Sequence, residues 1–434
     1  INTMQTTIKT SNFINRIKEQ FDFLETNLNG ESQNAIHQIR KSALNELELS
    51  GLPNLKTEDW RYTNLAFFNR TEFKINSSIS DIDSLNEYLI PELESDYIVA
   101  INGNYIAEKS KITQDGIKVT SLKSKSELNS LINTISDKKN LTNQINAAFF
   151  SDCVIIEVEK NAILEKPIQI LNLISTNEND LSNLRLLVIC GDNSNAKFLN
   201  TYHLINSKQV INTNVGEFLI GKNCNIENYI LQDIENDFKC FTNFTADMQR
   251  DSTFSNYTFS LGGDFTRNDA HITTSGKNST ANLIGLYLCR KNNLIDNHTK
   301  VDHAVPNCQS NEFYKGILDD NSIGVFNGKI LVRQDAQKTN AYQSSKSILL
   351  SDDAKVNSKP ELEIYADDVK CSHGASTGSI DKDSLFYLKA RGIGQDLAYT
   401  MLLEAYAGEI IDKISIEVLK EYVNSKVINI LEKK

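Results

Sequence analysis

Between residues 151 and 371 the chain almost never shows a helical period, and that one property constrains its fold more than any other. Short β-branched and aromatic runs alternate there with small polar clusters that resemble one another: Gly191–Ala196, Gly221–Ile226, Arg250–Phe254, Gly276–Ala281, Asp319–Gly324 and Ser351–Val356. They return roughly every 25 to 40 residues, the spacing of repeat architectures. Each cluster can turn the chain, and the Ala, Ile, Phe or Val that follows re-enters a core. A β-sandwich would place its turns about every 8 to 12 residues. The longer interval favours stacked coils, a β-solenoid.

Helical patterning is confined to the two ends and one interior span. Phe13, Ile14, Ile17, Phe21, Leu24 and Leu28 form one stripe that Gly30 stops; Ile36, Ile39, Ala43, Leu44 and Leu47 form a second that ends at Gly51-Leu52-Pro53. Thr57 is placed to cap a short turn carrying Glu58, Asp59 and Trp60. A span from Glu127 to Phe149 is also compatible with helix. Near the C-terminus, Asp381 can cap Lys382–Arg391 with Gly392 just beyond it. The segment Gln395–Ile414 sets Leu397, Met401, Leu402, Ala405 and Ile411 on one side, and Ile416–Leu431 has a broad apolar face that needs a packing partner. The expected division is residues 1–93 as an N-terminal helical domain, 94–374 as a β-helix core with a helical insertion near 127–149, and 375–434 as a C-terminal helical domain. Helices at the ends of a solenoid would cover its open sheet edges.

A chain of 434 residues with 40% hydrophobic and 23% charged residues can bury a core and is long enough for two or three units. A net charge of -11 argues against binding nucleic acid by phosphate neutralisation. No apolar run reaches bilayer length, and Ile1–Thr10 lacks a basic stretch leading into an apolar one, so a soluble, cytoplasmic protein without membrane contact is expected. The seven cysteines are scattered, with no Cys-x-x-Cys pair, and most read as small buried hydrophobes.

Gly216-Glu-Phe-Leu-Ile-Gly221-Lys222-Asn223 imitates a phosphate-binding loop but fails as one. The residue after Lys222 is not Ser or Thr, and the stretch between the glycines is a strand. His298, His303 and Cys308 are the densest set of metal-ligand types. Their five-residue spacing puts neighbours on opposite faces of a strand unless a bend at Pro306-Asn307 intervenes, which favours solenoid filling over a zinc site. Cys371 and His373 are two apart on an alternating strand and therefore share a face, where imidazole and thiol could serve metal or sulfur chemistry. A buried Cys that only fills space is the competing reading of that pair.

Around this pair, Asp367–Ala375 followed by Leu385–Ile393 resembles the C-terminal signature of the SufD branch of the SufB/SufD family, subunits of iron–sulfur cluster assembly complexes. Asp296–Cys308, Glu312–Asp319, Thr339–Gln343 with Leu349–Asp352, and Glu58–Leu65 resemble further blocks of the same family, from about residue 51 to about residue 410. The resemblance implies a mainly β fold, a right-handed parallel β-helix flanked by N- and C-terminal α-helical domains. It implies a non-catalytic scaffold of the SUF machinery that pairs with a SufB-like subunit and binds the SufC ATPase through its C-terminal helical domain. His373 is the first candidate for cluster assembly at the SufB–SufD interface and for transient metal binding, and Cys371 the second. The implied cofactors are a transient iron–sulfur cluster shared with SufB, a reduced FAD in the complex, and ATP with magnesium only through SufC. Tyr342–Lys346, where SufB subunits carry a sulfur-accepting cysteine, contains none here. A homodimer of the isolated chain stays open, as do two other classes: a β-helix enzyme acting on polysaccharide, and a free-standing metal-binding protein using His298, His303 and Cys308.

Overall fold

The computed structural model describes residues 12–432 except 27–34, 71, 76–81, 83, 125–126, 176–179, 206 and 235–237. Ile1–Thr10, Leu28 and the expected stop at Gly30 lie outside the described residues. Among those described, successive long strands alternate between two ten-stranded sheets, so each strand pairs in parallel with the strand two places away in sequence. One sheet runs from Val154–Val158 through Asp180–Cys190, Val210–Ile220, Phe238–Met248, Phe265–Thr274, Leu294–His303 and Ile323–Val332 to Lys355–Ile364. The other runs from Asp96–Ile101 through Ile168–Ile174, Asn195–Leu204, Asn225–Gln232, Thr253–Ser260, Thr280–Cys289, Gln309–Leu318 and Asn340–Leu349 to Lys370–Gly378. This is a mainly β chain with a solenoid of about seven turns and helices at both ends.

The recurring polar clusters are the corners. Asn193, Asn223, Asp251, Asn278 and Asn307 all adopt positive φ, between 53° and 64°. Asn and Asp tolerate that conformation best among residues with a side chain. The corners then stack: the Asn193 N–H donates to Lys222 O at 2.8 Å, and the Asn223 N–H to Arg250 O at 3.0 Å. Side chains join the stack, with Asn223 Nδ2 donating to Asn193 Oδ1 at 3.1 Å and Asn193 Nδ2 to Asn161 Oδ1 at 2.7 Å. The residue after each corner, Ser194, Cys224, Ser252, Ser279 or Cys308, turns back into the buried interior. Inside, Phe198, Phe218 and Phe254 stack at centroid distances of 6.0 and 5.3 Å. Beside them an amide ladder runs from Asn200 Nδ2 to Asn228 Oδ1 and from Asn228 Nδ2 to Asn256 Oδ1, at 2.8 and 2.7 Å.

The N-terminal helices α1 (Asn12–Thr26), α2 (Ala35–Ser50) and α3 (Phe67–Arg70) lie against the outer face of the first sheet, where Phe13 and Phe68 join Phe241 and Phe265. Gly51 ends α2 at φ 65°, its N–H donating to Leu47 O. Thr57 does not cap the Glu58–Trp60 turn through its side chain; its hydroxyl instead accepts from the Asn54 N–H at 3.2 Å. The 127–149 span is also not one helix. A short turn at Glu127–Leu131 precedes α4 (Leu141–Phe149), which Asn140 caps and which is buried along its whole length.

At the other end, α5 (Lys382–Ala390) is capped by Asp381, whose carboxylate accepts from the Asp383 and Ser384 N–H groups, and Gly392 follows at φ 85°. Helices α6 (Gln395–Ile411) and α7 (Glu417–Glu432) cover the outer face of the second sheet. Leu419, Val423, Val427 and Leu431 supply the buried stripe of α7. In α6 the buried residues are Ala398, Leu403, Ala407, Ile410 and Ile411, so Leu397 and Met401 face outward, contrary to the expected stripe. Leu403, Ala407, Ile410 and Ile411 pack into the cluster on the outer face of the second sheet. Lys315 anchors it, donating to Tyr406 O at 2.8 Å and pairing with Glu409 at 2.8 Å.

Candidate functional site

Cys371 and His373 sit on Lys370–Gly378, the last strand of the second sheet. It pairs in register with Asn340–Leu349, Cys371 opposite Ala341 and His373 opposite Gln343. Ala341, Gln343, Ser345 and Ser347 are buried in the solenoid interior, so Cys371 and His373 extend two interior columns into the final coil. No coil follows. His373 is therefore exposed, with no hydrogen-bond partner among the described residues, and from Ser372 to Gly378 the strand is open to solvent. A side chain built at Gly374 or Gly378 would meet nothing within 4 Å. Cys371 is half-buried against Ala341 and Ile330, and burial pushes its thiol up. The partner strand of this coil, Lys355–Ile364, likewise pairs on one side only. Two adjacent sheet edges with unspent N–H and C=O groups thus flank an imidazole and a thiol.

The structure separates the other candidates. His298 points to the outer face of its strand, its Nε2 3.0 Å from Asp296 Oδ1. His303 is fully buried in the interior, where it shares a 2.9 Å hydrogen bond with Ser310 Oγ and burial lowers its pKa to about 4. Cys308 fills a corner slot, its Sγ donating to Gly276 O at 3.4 Å, the position that serine holds in neighbouring coils. Strand alternation, not distance along the chain, parts the two histidines.

Two of the sequence blocks meet outside the solenoid. Arg267 stacks on Trp60, its Cζ 4.4 Å from the ring centroid, and pairs with Asp269 at 2.9 Å and Asp296 at 2.7 Å. Thr63 Oγ1 donates to Asp296 Oδ2 at 2.5 Å. Although burial works to raise it, Asp296 is held well below the usual carboxylate range by Arg267 and His298. Trp60, Arg267, Asp269 and His298 line a cleft of about 600 Å³, together with Gly51, Asp59, Asn140 and Gln144. Three carboxylates in its wall are tied to cations: Glu363 to Lys329, and Glu361 and Glu58 to Lys359. The Glu58–Lys359 pair ties the N-terminal turn to the last coils.

On the outward side of the C-terminal helices, Phe386 is 73% exposed and Leu397 59%, beside Tyr387 and Met401. None of the residues of α5 is buried. Sequence patterning did not reveal this surface, because it assigned Leu397 and Met401 to the inner face. The interior residues beneath His373, Gln343 and Glu312, also escaped it: single polar residues in a strand carry no signal until the register is known. Among the described residues, no helix is long and apolar enough to cross a membrane.

Comparison with known proteins agrees over nearly the whole chain. Residues 173–406 match the family model described as SUF system FeS cluster assembly, SufBD core domain, and residues 11–170 match the SufBD protein N-terminal region. The iron-sulfur cluster assembly protein SufD of Escherichia coli is 29% identical over 398 residues, 88% of this chain and 90% of that protein. A SufBD family protein of Synechocystis is 27% identical over 399 residues, 88% of each chain. SufD of Bacillus subtilis is 25% identical over 314 residues, 69% of this chain and 67% of that protein. The core match alone spans more than half of the sequence, and the chain belongs to the SufBD family of the SUF system of FeS cluster assembly.

Proposed function

We propose that this chain is the SufD-type scaffold subunit of a cytosolic SUF complex, pairing with a SufB-like subunit at its last coil so that a nascent cluster forms in the seam beside His373. The observation that carries this reading is the uncapped final coil, whose unpaired edges run past an exposed imidazole and a half-buried thiol. A second chain adding strands to those edges would bury both groups in a shared interior. His373 can there ligate iron, and Cys371 becomes a sulfur acceptor and ligand once its thiolate is stabilised by metal or a neighbouring cation. Two side chains cannot complete a four-ligand site, so the partner supplies the rest. The scaffold itself turns over nothing. ATP hydrolysis belongs to SufC, which in this reading docks on the exposed apolar surface of α5 and α6.

His373→Ala, co-expressed with the SufB and SufC partners, is expected to lower cluster yield by about tenfold or more while the complex still assembles. Cluster content per complex, read by iron and sulfide analysis, checks it, and wild-type content would refute the assignment. Phe386→Asp combined with Leu397→Asp is expected to abolish co-purification of the ATPase while leaving the thermal transition of the solenoid in place. Retained ATPase would move the docking surface elsewhere.

A further inference from the structure

In the second sheet, Leu283, Glu312, Gln343 and His373 are register partners in successive coils, one interior column about 4.8 Å apart per step. Glu312 is fully enclosed, and one of its oxygens does all the accepting. Thr299 Oγ1 donates to Oε2 at 2.5 Å and Gln343 Nε2 donates to the same Oε2 at 2.9 Å, whereas Oε1 has no partner. A protonated carboxyl accommodates this arrangement, its carbonyl oxygen accepting twice and its hydroxyl at Oε1, the atom without a partner. Burial, opposed by those two hydrogen bonds, pushes the Glu312 carboxyl up to about 7.

The amide of Gln343 is confined to one place. Gly328, in the first sheet, leaves the slot it occupies; a Cβ there would stand 2.3 Å from Gln343 Nε2 and 2.8 Å from its Cδ. With Nε2 committed to Glu312, the side-chain oxygen Oε1 is buried and without a partner. It belongs to the amide lying between Glu312 on one side of the column and His373 on the other. A buried acceptor left unsatisfied is costly, so a donor arriving there is favoured.

We propose that Gln343 is a positioning residue for His373, its Oε1 accepting a ring N–H, and that Glu312 holds the Gln343 amide in the orientation that makes this possible. The imidazole then has a fixed tautomer, and its other nitrogen offers a lone pair to the seam. A histidine ligand is ordinarily oriented by such an acceptor behind it. If Gln343 turned over, it would present its NH2 group to His373 and set two donors against each other. The sense of the inference rests on the seam assignment above; in the structure Gln343 Oε1 accepts nothing and the His373 ring has no partner among the described residues, so the contact forms when the exposed ring turns toward that oxygen, which this chain can do alone.

The test is the ring-nitrogen spectrum of the full chain labelled with 15N-histidine, the His373 signals being those lost in His373→Gln. Wild type and Glu312→Gln are expected to show a single dominant tautomer for His373, because an amide at position 312 keeps a double acceptor at Oε2 and puts a donor at Oε1, as the acid does. Gln343→Met and Glu312→Met, which keep volume, are expected to lose that preference and relax to the mixture of a free imidazole, with thermal transitions showing that they remain folded. His373 ring shifts in Gln343→Met identical to wild type would overturn the proposal. So would a wild-type spectrum already showing the free mixture, and a Glu312→Gln spectrum that follows Glu312→Met would overturn the part assigned to Glu312. Gln343→Glu provides a second variant if Gln343→Met does not fold; retention of the wild-type tautomer by that variant supports an oxygen acceptor at this position, and its loss overturns it. In the assembled complex, Gln343→Met is expected to lower cluster content about tenfold. A preserved tautomer contact together with normal clusters in His373→Ala would reject the proposed function and leave the contact standing.

Discussion

Glu217→Ala is expected to destabilise the chain by about 3–5 kcal/mol, the cost of stranding a buried charge. The Glu217 and Arg185 side chains are both wholly inaccessible and pair at 2.9 Å. The carboxylate does more than neutralise the guanidinium: Oε2 accepts from the Asn133 N–H at 2.6 Å, and Oε1 from the Ile135 and Ser136 N–H groups at 3.1 and 3.2 Å. Arg185 in turn donates to the side-chain oxygens of Asn133, Asn143 and Asn146 and lies 5.3 Å from the Phe150 ring. One ion pair thus pins both the 133–136 segment and α4 onto the outer face of the first sheet. Removing the carboxylate leaves a buried cation, the buried Ser136 N–H and the part-buried Asn133 and Ile135 N–H groups without their acceptor. Denaturant midpoints should fall accordingly, and limited proteolysis should cut first between residues 133 and 140. Glu217→Gln, which keeps an acceptor, should cost less than the alanine variant. A loss below about 1 kcal/mol in Glu217→Ala would mean that the helical roof is held by its apolar contacts alone.

Glu312→Gln is expected to gain stability over wild type as pH rises, by about 3 kcal/mol between pH 4.5 and pH 8. The sign follows from burial. The folded-state pKa, about 7, stands above the ordinary value of 4.5. Between those values the unfolded chain releases a proton that the folded chain retains. The contribution of this carboxyl to stability is therefore complete below about 4.5 and is lost as pH rises through about 7. Glutamine fits the same slot and does not titrate. Thermal transitions of the two proteins followed across that pH range should diverge steadily, the variant melting higher at pH 8. Parallel curves would show that Glu312 is ionised in the folded chain throughout, and would remove the acid form from the account of its oxygens.

Much of the architecture was legible because its signals are local. A corner needs a residue that accepts positive φ, and Asn193, Asn223, Asn278 and Asn307 supply it at a recurring interval that no sandwich would use. Capping at Asp381 and the helix end at Gly392 were readable for the same reason, since a cap involves residues three or four apart. The i, i+2 rule also sufficed to set Cys371 and His373 on one face and to part His298 from His303. Where a decision depended on what lay opposite, local reading failed. Leu397 and Met401 look like core in a helix drawn alone, yet the face that packs on the second sheet carries Leu403, Ala407, Ile410 and Ile411. Thr57 has the chemistry of a cap but is used by the turn that precedes it.

Residue order alone points to a β-helix with helical ends, to the residue pair on its final strand, and to the family the chain resembles. Each of those follows from short-range stereochemistry or from motifs contiguous in the chain. The folded chain adds that the pair stands on an open coil, that Glu312, Gln343 and His373 share one column, and that Trp60 covers Arg267. The reason is register: residues about 30 apart become neighbours when coils stack, and the side chain above or below each one sets its burial, its protonation and its hydrogen bonds.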